Sequence, residues 1–371
     1  MNIRENTLNI LNNKNFTRLP LVHFGFWNET LDKWRKQKHI TQEEINDGSG
    51  GEGVSVGKKL GFDFSWQAEL FIPNVGLSPA FESEVIEETA DGFKKILNSD
   101  GAIILQKEGA GSIPSEVGHS LTDRSNWEKE FLPRLRFTKD RIDFNKLNDY
   151  GPIEDSQFPR GLHCGSLYSM IRNWAGMEGL CYIYADDPEL YKEIIDTAGN
   201  LCYETTKAVL ETGVQFDYGH FWEDICFKNG PLVTPSVFRE LVGPHYNRIT
   251  RLLNEHGIYI VSLDCDGVID ALLPVWLDCG INTMFPIEVG TWGANIGAWR
   301  GKYGNRVKGV GGMNKNVFAY DYAAIDKEIE RLRPLIEQGG FIPCPDHRIP
   351  PDAVWENVQY YCERMRSLYG Y

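Results

Sequence analysis

The sequence lacks any continuous run of eighteen apolar residues, and no apolar core follows its first residues. A membrane-spanning helix requires about 20 such residues, and a secretory signal peptide requires a short apolar core near its start. The chain is therefore predicted to be cytoplasmic, with no membrane partner. Its eight cysteines form no Cys-x-x-Cys pair, which argues against zinc-ribbon and thioredoxin-like sites and favours free thiols.

Positive charge is also scarce, because 38 Lys and Arg face 52 Asp and Glu, for a net charge of −14. This balance argues against a nucleic-acid partner, whose phosphates need basic contacts. The Gly-x-Ser-x-Gly elbow and the Gly-x-x-x-x-Gly-Lys-Ser phosphate loop are absent as well. The glycines at 48–53 follow a polar segment rather than a strand, so they indicate a loop and not a dinucleotide-binding turn.

Apolar runs and amphipathic segments alternate through the second half of the chain. Strands are predicted at 21–27, 216–221, 258–263, 283–288, 307–313 and 341–344. Helices are predicted from 161–165 to about 182 and at 188–211, 235–256, 268–279, 296–303, 322–338 and 352–368. Strands separated by helices must pair in parallel through crossover connections. The sequence therefore predicts an α/β protein, a (β/α)8 TIM barrel forming a single domain over 1–371, with a β-hairpin insertion at 84–108.

Two predicted strands end in side chains that can act as ligands. The strand at 258–263 is followed by Asp264, Cys265 and Asp266, and the strand at 341–344 by Asp346 and His347. Strand ends converge on one mouth of a barrel, where such enzymes place their chemistry. Several carboxylates around one imidazole repel one another unless a cation lies among them or some of them are protonated. A divalent metal is the simplest resolution, and His with carboxylates suits zinc, manganese or iron(II).

Simpler interpretations remain open for these residues. The aspartates could cap helices, or the carboxylates could hold a cationic substrate without a metal. Period-2 geometry places Asp264 and Asp266 on one side of the strand and Cys265 on the other. His163 and His220 are predicted to be packing residues, as are most of the aromatic side chains.

In combination, five segments resemble the uroporphyrinogen decarboxylase superfamily. They are Trp222-Glu223-Asp224, Asp264-Cys265-Asp266-Gly267, Phe285-Pro286-Ile287-Glu288, Gly311-Gly312-Met313 and the run 345–352. The resemblance implies a (β/α)8 barrel. It also implies one of two activities, that of the decarboxylases of haem synthesis or that of zinc-dependent methyltransferases that work with corrinoid proteins.

The N-terminal segment separates these two branches. The resemblance implies that true decarboxylases carry arginines in this segment, which bind the carboxylates of the substrate. This chain keeps Arg18 and Pro20 of the pattern but continues through His23 to Trp27 without those arginines. The zinc ligands of the methyltransferases fall on Asp264, Asp266 and His347, none of which is a thiolate. This donor set favours harder metals and oxygen or nitrogen donors over thiols.

The resemblance and the motifs together predict a methyltransferase that moves a methyl group from a small methylated donor to a corrinoid protein. Its predicted cofactor is a divalent metal ion, for which zinc is the first choice. A decarboxylase-type lyase and a non-catalytic binding barrel are the alternatives, and a homodimer is a further expectation. The predicted metal ligands are Asp264, Asp266 and His347. The predicted catalytic residues are Asp224, Asp266 and His347. The predicted substrate-binding residues are His23, Trp27, Trp222, Glu223, Glu288 and Asp346.

Overall fold

The structure is a computed structural model that describes residues 1–107 and 114–370. Its centre is a sheet of seven parallel strands. In spatial order these are β15 (Phe341–Pro345), β14 (Lys308–Met313), β13 (Thr283–Phe285), β12 (Ile260–Asp264), β9 (Tyr218–Trp222), β8 (Gly161–Gly165) and β3 (Leu70–Phe71). Almost all residues of β12, β14 and β15 are buried, as expected for parallel strands covered by helices.

A second short sheet closes the ring of strands. Strand β1 (Val22–His23) pairs in parallel with β2 (Phe64–Ser65), and a parallel bridge joins Phe26 to Ile349, just after β15. The segments β2 and β3 are two halves of one barrel strand, interrupted at 66–69. One half pairs with β1 and the other with β8, so eight strand positions complete the predicted (β/α)8 barrel.

Helices surround the ring in the described part of the chain. They are α1 (Ile3–Leu11), α2 (Asn28–Lys36), α3 (Gln42–Ile45), α4 (Val54–Leu60), α5 (Arg124–Asn126), α6 (Phe144–Asn148), α7 (Ser169–Asp186), α8 (Pro188–Leu210), α9 (Pro235–Val237), α10 (Gly243–Glu255), α11 (Leu273–Asp278), α12 (Val289–Trp292), α13 (Ile296–Tyr303), α14 (Tyr322–Glu337) and α15 (Trp355–Tyr369). Helix α7 is broken at Gly176, whose φ is +68°. No helix among residues 1–107 and 114–370 is long and apolar enough to cross a bilayer.

The insertion is larger than the hairpin that the sequence predicted. It is a four-stranded antiparallel sheet. Residue 108, the predicted end of the hairpin, lies outside the described residues. The strands are β4 (Glu84–Glu88), β5 (Lys94–Leu97), β6 (Ala102–Gln106) and β7 (Ser115–His119). Strands β6 and β7 lie against α7. A short hairpin of β10 (Cys226–Phe227) and β11 (Gly230–Pro231) follows the end of β9.

Candidate active site at the carboxyl ends of the strands

A cavity of about 440 Å³ opens at the carboxyl ends of the barrel strands. Its wall includes Trp222 and Asp264, the last residues of β9 and β12. The lining residues are Phe24, Trp27, Glu52, Gln67, Leu70, Ile72, His163, His220, Trp222, Asp264, Asp266, His347 and Arg348. The structure thus brings the predicted residues Trp27, Trp222, Asp264, Asp266 and His347 to one cavity.

Asp266, Glu288 and His347 form a compact cluster at this mouth. Each offers a ligand atom, and the three atoms lie within 4.8 Å of one another. Nε2 of His347 lies 3.3 Å from Oδ2 of Asp266. The indole of Trp27 stacks on the His347 ring, with ring centroids 5.4 Å apart and planes 18° apart. This stacking limits rotation of the imidazole and keeps its nitrogen directed at the two carboxylates.

Glu288 reaches the cluster because the backbone before it takes an unusual path. Ile287 has a φ of +61°, which is rare for a β-branched residue and costs free energy. Gly311 of β14 lies so close to this segment that a Cβ there would be 1.6 Å from the carbonyl oxygen of Pro286. The amide of Gly267 then donates to Oε2 of Glu288 at 3.2 Å. These contacts hold the Glu288 carboxylate beside Asp266.

The cluster has the properties of a divalent-cation site. Oδ1 of Asp266 is buried and has no hydrogen-bond partner among the described residues. Burial and the negative charge of Asp266 raise the pKa of Glu288 to about 7. Burial, and then the same charge, also raise the pKa of Asp224. One imidazole and two carboxylates are a common ligand set for zinc, manganese or iron(II), so these residues fit the metal ion that the family resemblance implies.

Asp264 lies beside the cluster but has a different partner. The amide of Gln67 donates to Oδ2 of Asp264 at 2.7 Å, and burial with the charge of Asp266 raises the pKa of Asp264 well above its usual range. The compact group consists of Asp266 and His347 with Glu288, whereas the sequence placed Asp264 with them. The geometry therefore favours Glu288 over Asp264 as the third ligand.

Asp224 lies next to the cavity but not in its lining. Its Oδ2 is 3.8 Å from Nη1 of Arg172, and its pKa responds to the charges of both Asp266 and His347. It is therefore close enough to act on the cluster electrostatically. The structure assigns it no direct contact with the cavity.

Two further predicted residues accept hydrogen bonds from backbone amides and do not line the cavity. The buried Glu223 carboxylate accepts hydrogen bonds from the amides of 167–169 at the start of α7 and from the hydroxyl of Tyr246. Asp346 accepts from the amides of Gly290 and Lys315. Both carboxylates fix loops around the mouth, and neither lines the cavity that was predicted to contain them.

His23 lies behind the cavity wall. Its Nδ1 accepts a hydrogen bond from the amide of Gly25 at 3.0 Å, and the ring packs near Phe26 and Phe62. A Cβ on Gly57 of α4 would lie 2.3 Å from Nε2 of His23. Burial, together with the positive charge of Arg348, lowers the pKa of His23 to about 3. His23, which was predicted to bind substrate, is thus buried and neutral and does not line the cavity of about 440 Å³.

Several cavity residues were not predicted from the sequence. Arg348 donates to the carbonyl of Gly51 at 2.6 Å and to Oε1 of Glu52 at 2.9 Å, which fastens the glycine-rich loop to the mouth. His163 and His220, predicted to be packing residues, line the cavity, and Nδ1 of His220 is 2.6 Å from Oγ of Ser262. Burial lowers the pKa of His163 to about 4. The signal that could have found them is strand register, because His163, His220 and Ser262 are neighbours on adjacent strands.

Comparison with known proteins identifies the family. The family model described as uroporphyrinogen decarboxylase (URO-D) matches residues 166–368, more than half of the chain. The chain belongs to the URO-D family. This URO-D family chain shows no significant match to a curated protein sequence. The matched region contains Trp222, Asp266, Glu288 and His347, whereas Trp27 and Gln67 precede it.

Two solved structures are similar to this URO-D family chain along nearly its whole length. One is described as a methyltransferase from Methanosarcina mazei, with 14% identity and a TM-score of 0.59, covering 99% of each chain. The other is described as a B12-independent methionine synthase from Shewanella sp. W3-18-1, with 12% identity and a TM-score of 0.49, covering 95% of this chain and 98% of the other. At such low identity the first comparison supports the fold.

Proposed function

We propose that the protein is a methyltransferase that takes a methyl group from a small donor, methylated on oxygen or nitrogen, and passes it to a corrinoid carried by a partner protein. The observation that carries the proposal is the cluster of Asp266, Glu288 and His347 beside a cavity sized for a small molecule. One structure with the same fold is described as a methyltransferase, which agrees with this assignment.

Decarboxylation of uroporphyrinogen suits the cavity less well. A volume of about 440 Å³ lies near the lower end of the range that holds drug-sized ligands, whereas uroporphyrinogen has four pyrrole rings and eight carboxylates. Arg18, which remains from the family's arginine-containing segment, forms an ion pair with Asp63 and does not line the cavity. The one arginine in the lining, Arg348, is already paired with Glu52. Among the described residues that line this cavity, a polyanion would therefore find no arginine that is not already paired.

The residues of the cluster have separate tasks in the proposed reaction. Asp266, Glu288 and His347 would hold the metal ion, which when bound would act as a Lewis acid toward an oxygen of the donor. Trp27 keeps the His347 ring in place, and Trp27 with Phe24 forms an apolar part of the cavity wall. When no ion is bound, the His347–Asp266 pair is placed to exchange a proton with the donor's heteroatom.

The proposal is tested by mixing the protein with a reduced corrinoid protein and candidate methyl donors. Methylation of the corrinoid is followed by absorbance, and loss of the donor methyl group by NMR. We expect His347→Ala and Glu288→Gln to lower the rate by on the order of a hundredfold or more. Asp352→Asn, an exposed carboxylate on the same loop, is the matched control and should keep the wild-type rate. Release of carbon dioxide from uroporphyrinogen, without methyl transfer from any donor, would refute the proposal.

A further inference from the structure

One carboxylate in the cavity has no positively charged partner and does not belong to the cluster of Asp266, Glu288 and His347. Among the cavity carboxylates, Glu52 is paired with Arg348, and Asp266 is paired with His347. Asp264 forms no ion pair with any described residue. The residue is 6% exposed, and only Oδ2 of its carboxylate has a hydrogen-bond partner among the described residues, the amide of Gln67. Its other oxygen, Oδ1, accepts no hydrogen bond from the described residues.

An aromatic ring without a partner lies beside this carboxylate. Trp222 and Asp264 are register partners at the ends of the adjacent parallel strands β9 and β12. Side chains at such positions project from the same face, and the strands are about 4.8 Å apart. Both line the cavity. The indole of Trp222 has no ring stacking and no cation over it in the described part of the chain, whereas Trp27 stacks on His347 and Arg348 lies over Phe24.

We infer that Asp264 and Trp222 bind the positively charged nitrogen of the donor, which is a methylated ammonium compound that also carries an oxygen group. A carboxylate compensates the charge, and an indole face attracts it through the ring quadrupole, most strongly for methylated ammonium groups that are weakly hydrated. The inference rests on the proposed function and specifies its substrate class. Gln67 acts as a positioning residue, because its amide holds Asp264 in place.

The chemistry of such a donor is consistent with two separate groups at the cavity, the pair of Asp264 and Trp222 and the cluster of Asp266, Glu288 and His347. An ammonium nitrogen has no lone pair for a metal ion, so the cluster of Asp266, Glu288 and His347 would serve the donor's oxygen. When the carbon–nitrogen bond breaks, its electron pair stays on nitrogen and leaves a neutral amine. The new bond to the methyl carbon uses an electron pair of the reduced corrinoid.

The test compares choline with 3,3-dimethylbutan-1-ol, which has the same shape and hydroxyl group but a carbon in place of the charged nitrogen. Binding of each to the full-length protein is measured by calorimetry. We expect choline to bind at least about tenfold more tightly than the alcohol. Asp264→Asn and Trp222→Leu should each reduce this ratio several-fold, and Asp352→Asn should keep it. Equal affinities in the wild-type protein would overturn the inference, and this comparison does not depend on whether a variant folds.

Methyl transfer assays separate this inference from the proposed function. If neutral methyl ethers methylate the corrinoid protein while choline neither binds nor reacts, the inference fails and the proposed function stands. If choline binds in a manner that depends on Asp264, but no donor of either class methylates a corrinoid protein, the proposed function fails and the ammonium site stands.

Discussion

The buried neutral state of His23 predicts how the protein's stability responds to acid. Burial lowers the pKa of His23 from its usual 6.5 to about 3 in the folded protein, whereas in the unfolded chain it returns to about 6.5. Between these two values the unfolded state binds a proton that the folded state does not. The free energy of unfolding therefore falls as the pH falls from 6.5 toward 3. From pH 7 to pH 5 the loss from this one residue is about 2 kcal/mol.

His23→Asn tests this value, because the asparagine oxygen can still accept the hydrogen bond from the amide of Gly25. Urea unfolding of both proteins at pH 7 and pH 5 gives the loss of stability for each. We expect the variant to be less stable at pH 7, where it lacks the ring contacts of His23, but to lose about 2 kcal/mol less than the wild type on acidification. His256→Asn, which removes an exposed imidazole, should leave the loss unchanged. The same loss in His23→Asn and in the wild type would refute the reasoning.

Three other predictions concern the cluster and the elements around it. Elemental analysis should find a divalent ion in the wild type and in Asp264→Asn, but far less of it in Glu288→Gln. If Asp264→Asn loses the ion and Glu288→Gln keeps it, the ligand set predicted from the sequence is favoured instead. Gly57→Ala should cost about 1–3 kcal/mol in thermal unfolding and less in a His23→Ser background, and an equal cost in both backgrounds would contradict the contact with His23. Glu223→Ala should destabilise the protein by several kcal/mol in urea, because it leaves buried donors of 167–169 and Tyr246 without an acceptor, and a near-neutral effect would contradict this role.

The barrel could be predicted because its strands and helices carry strong local signals. The predicted helix at 296–303 coincides with α13, and the predicted strand at 341–344 differs from β15 by one residue. Strand β8 was missed and assigned to the start of a helix. Its sequence, Gly161 to Gly165, contains two glycines and a histidine, so it lacks the continuous apolar run that marked the other strands. Its burial comes from its neighbours in the sheet.

The candidate site was predictable in outline and not in detail. Asp266 and His347 follow apolar strands directly, so their convergence follows from the barrel itself. Glu288 reaches the cluster through the backbone turn at Ile287 and the close approach of Gly311, and neither can be foreseen from strand alternation. Glu223 and Asp346 also follow strands, yet their carboxylates turn to buried amides. Residue type and position at a strand end do not distinguish a carboxylate that binds a ligand from one that holds a loop.

The interruption of the second barrel strand affects how this site can change during evolution. Strand β2 supplies the pairing to β1 and β3 supplies the pairing to β8, and the flanking residues Trp66 and Glu69 add one backbone hydrogen bond to each neighbour. The carbonyl of Gln67 instead accepts from the amide of Leu70, so this residue bonds to neither neighbouring strand. Gln67 lies in this interruption, and its side chain reaches across to Asp264 at the cavity wall. A substitution at this position can therefore alter the polarity of the cavity while the backbone hydrogen bonds of the barrel stay intact. Under the proposed function, a substitution of Gln67 would therefore change the donor preference without disturbing the barrel, at the cost of the hydrogen bond to the buried Asp264.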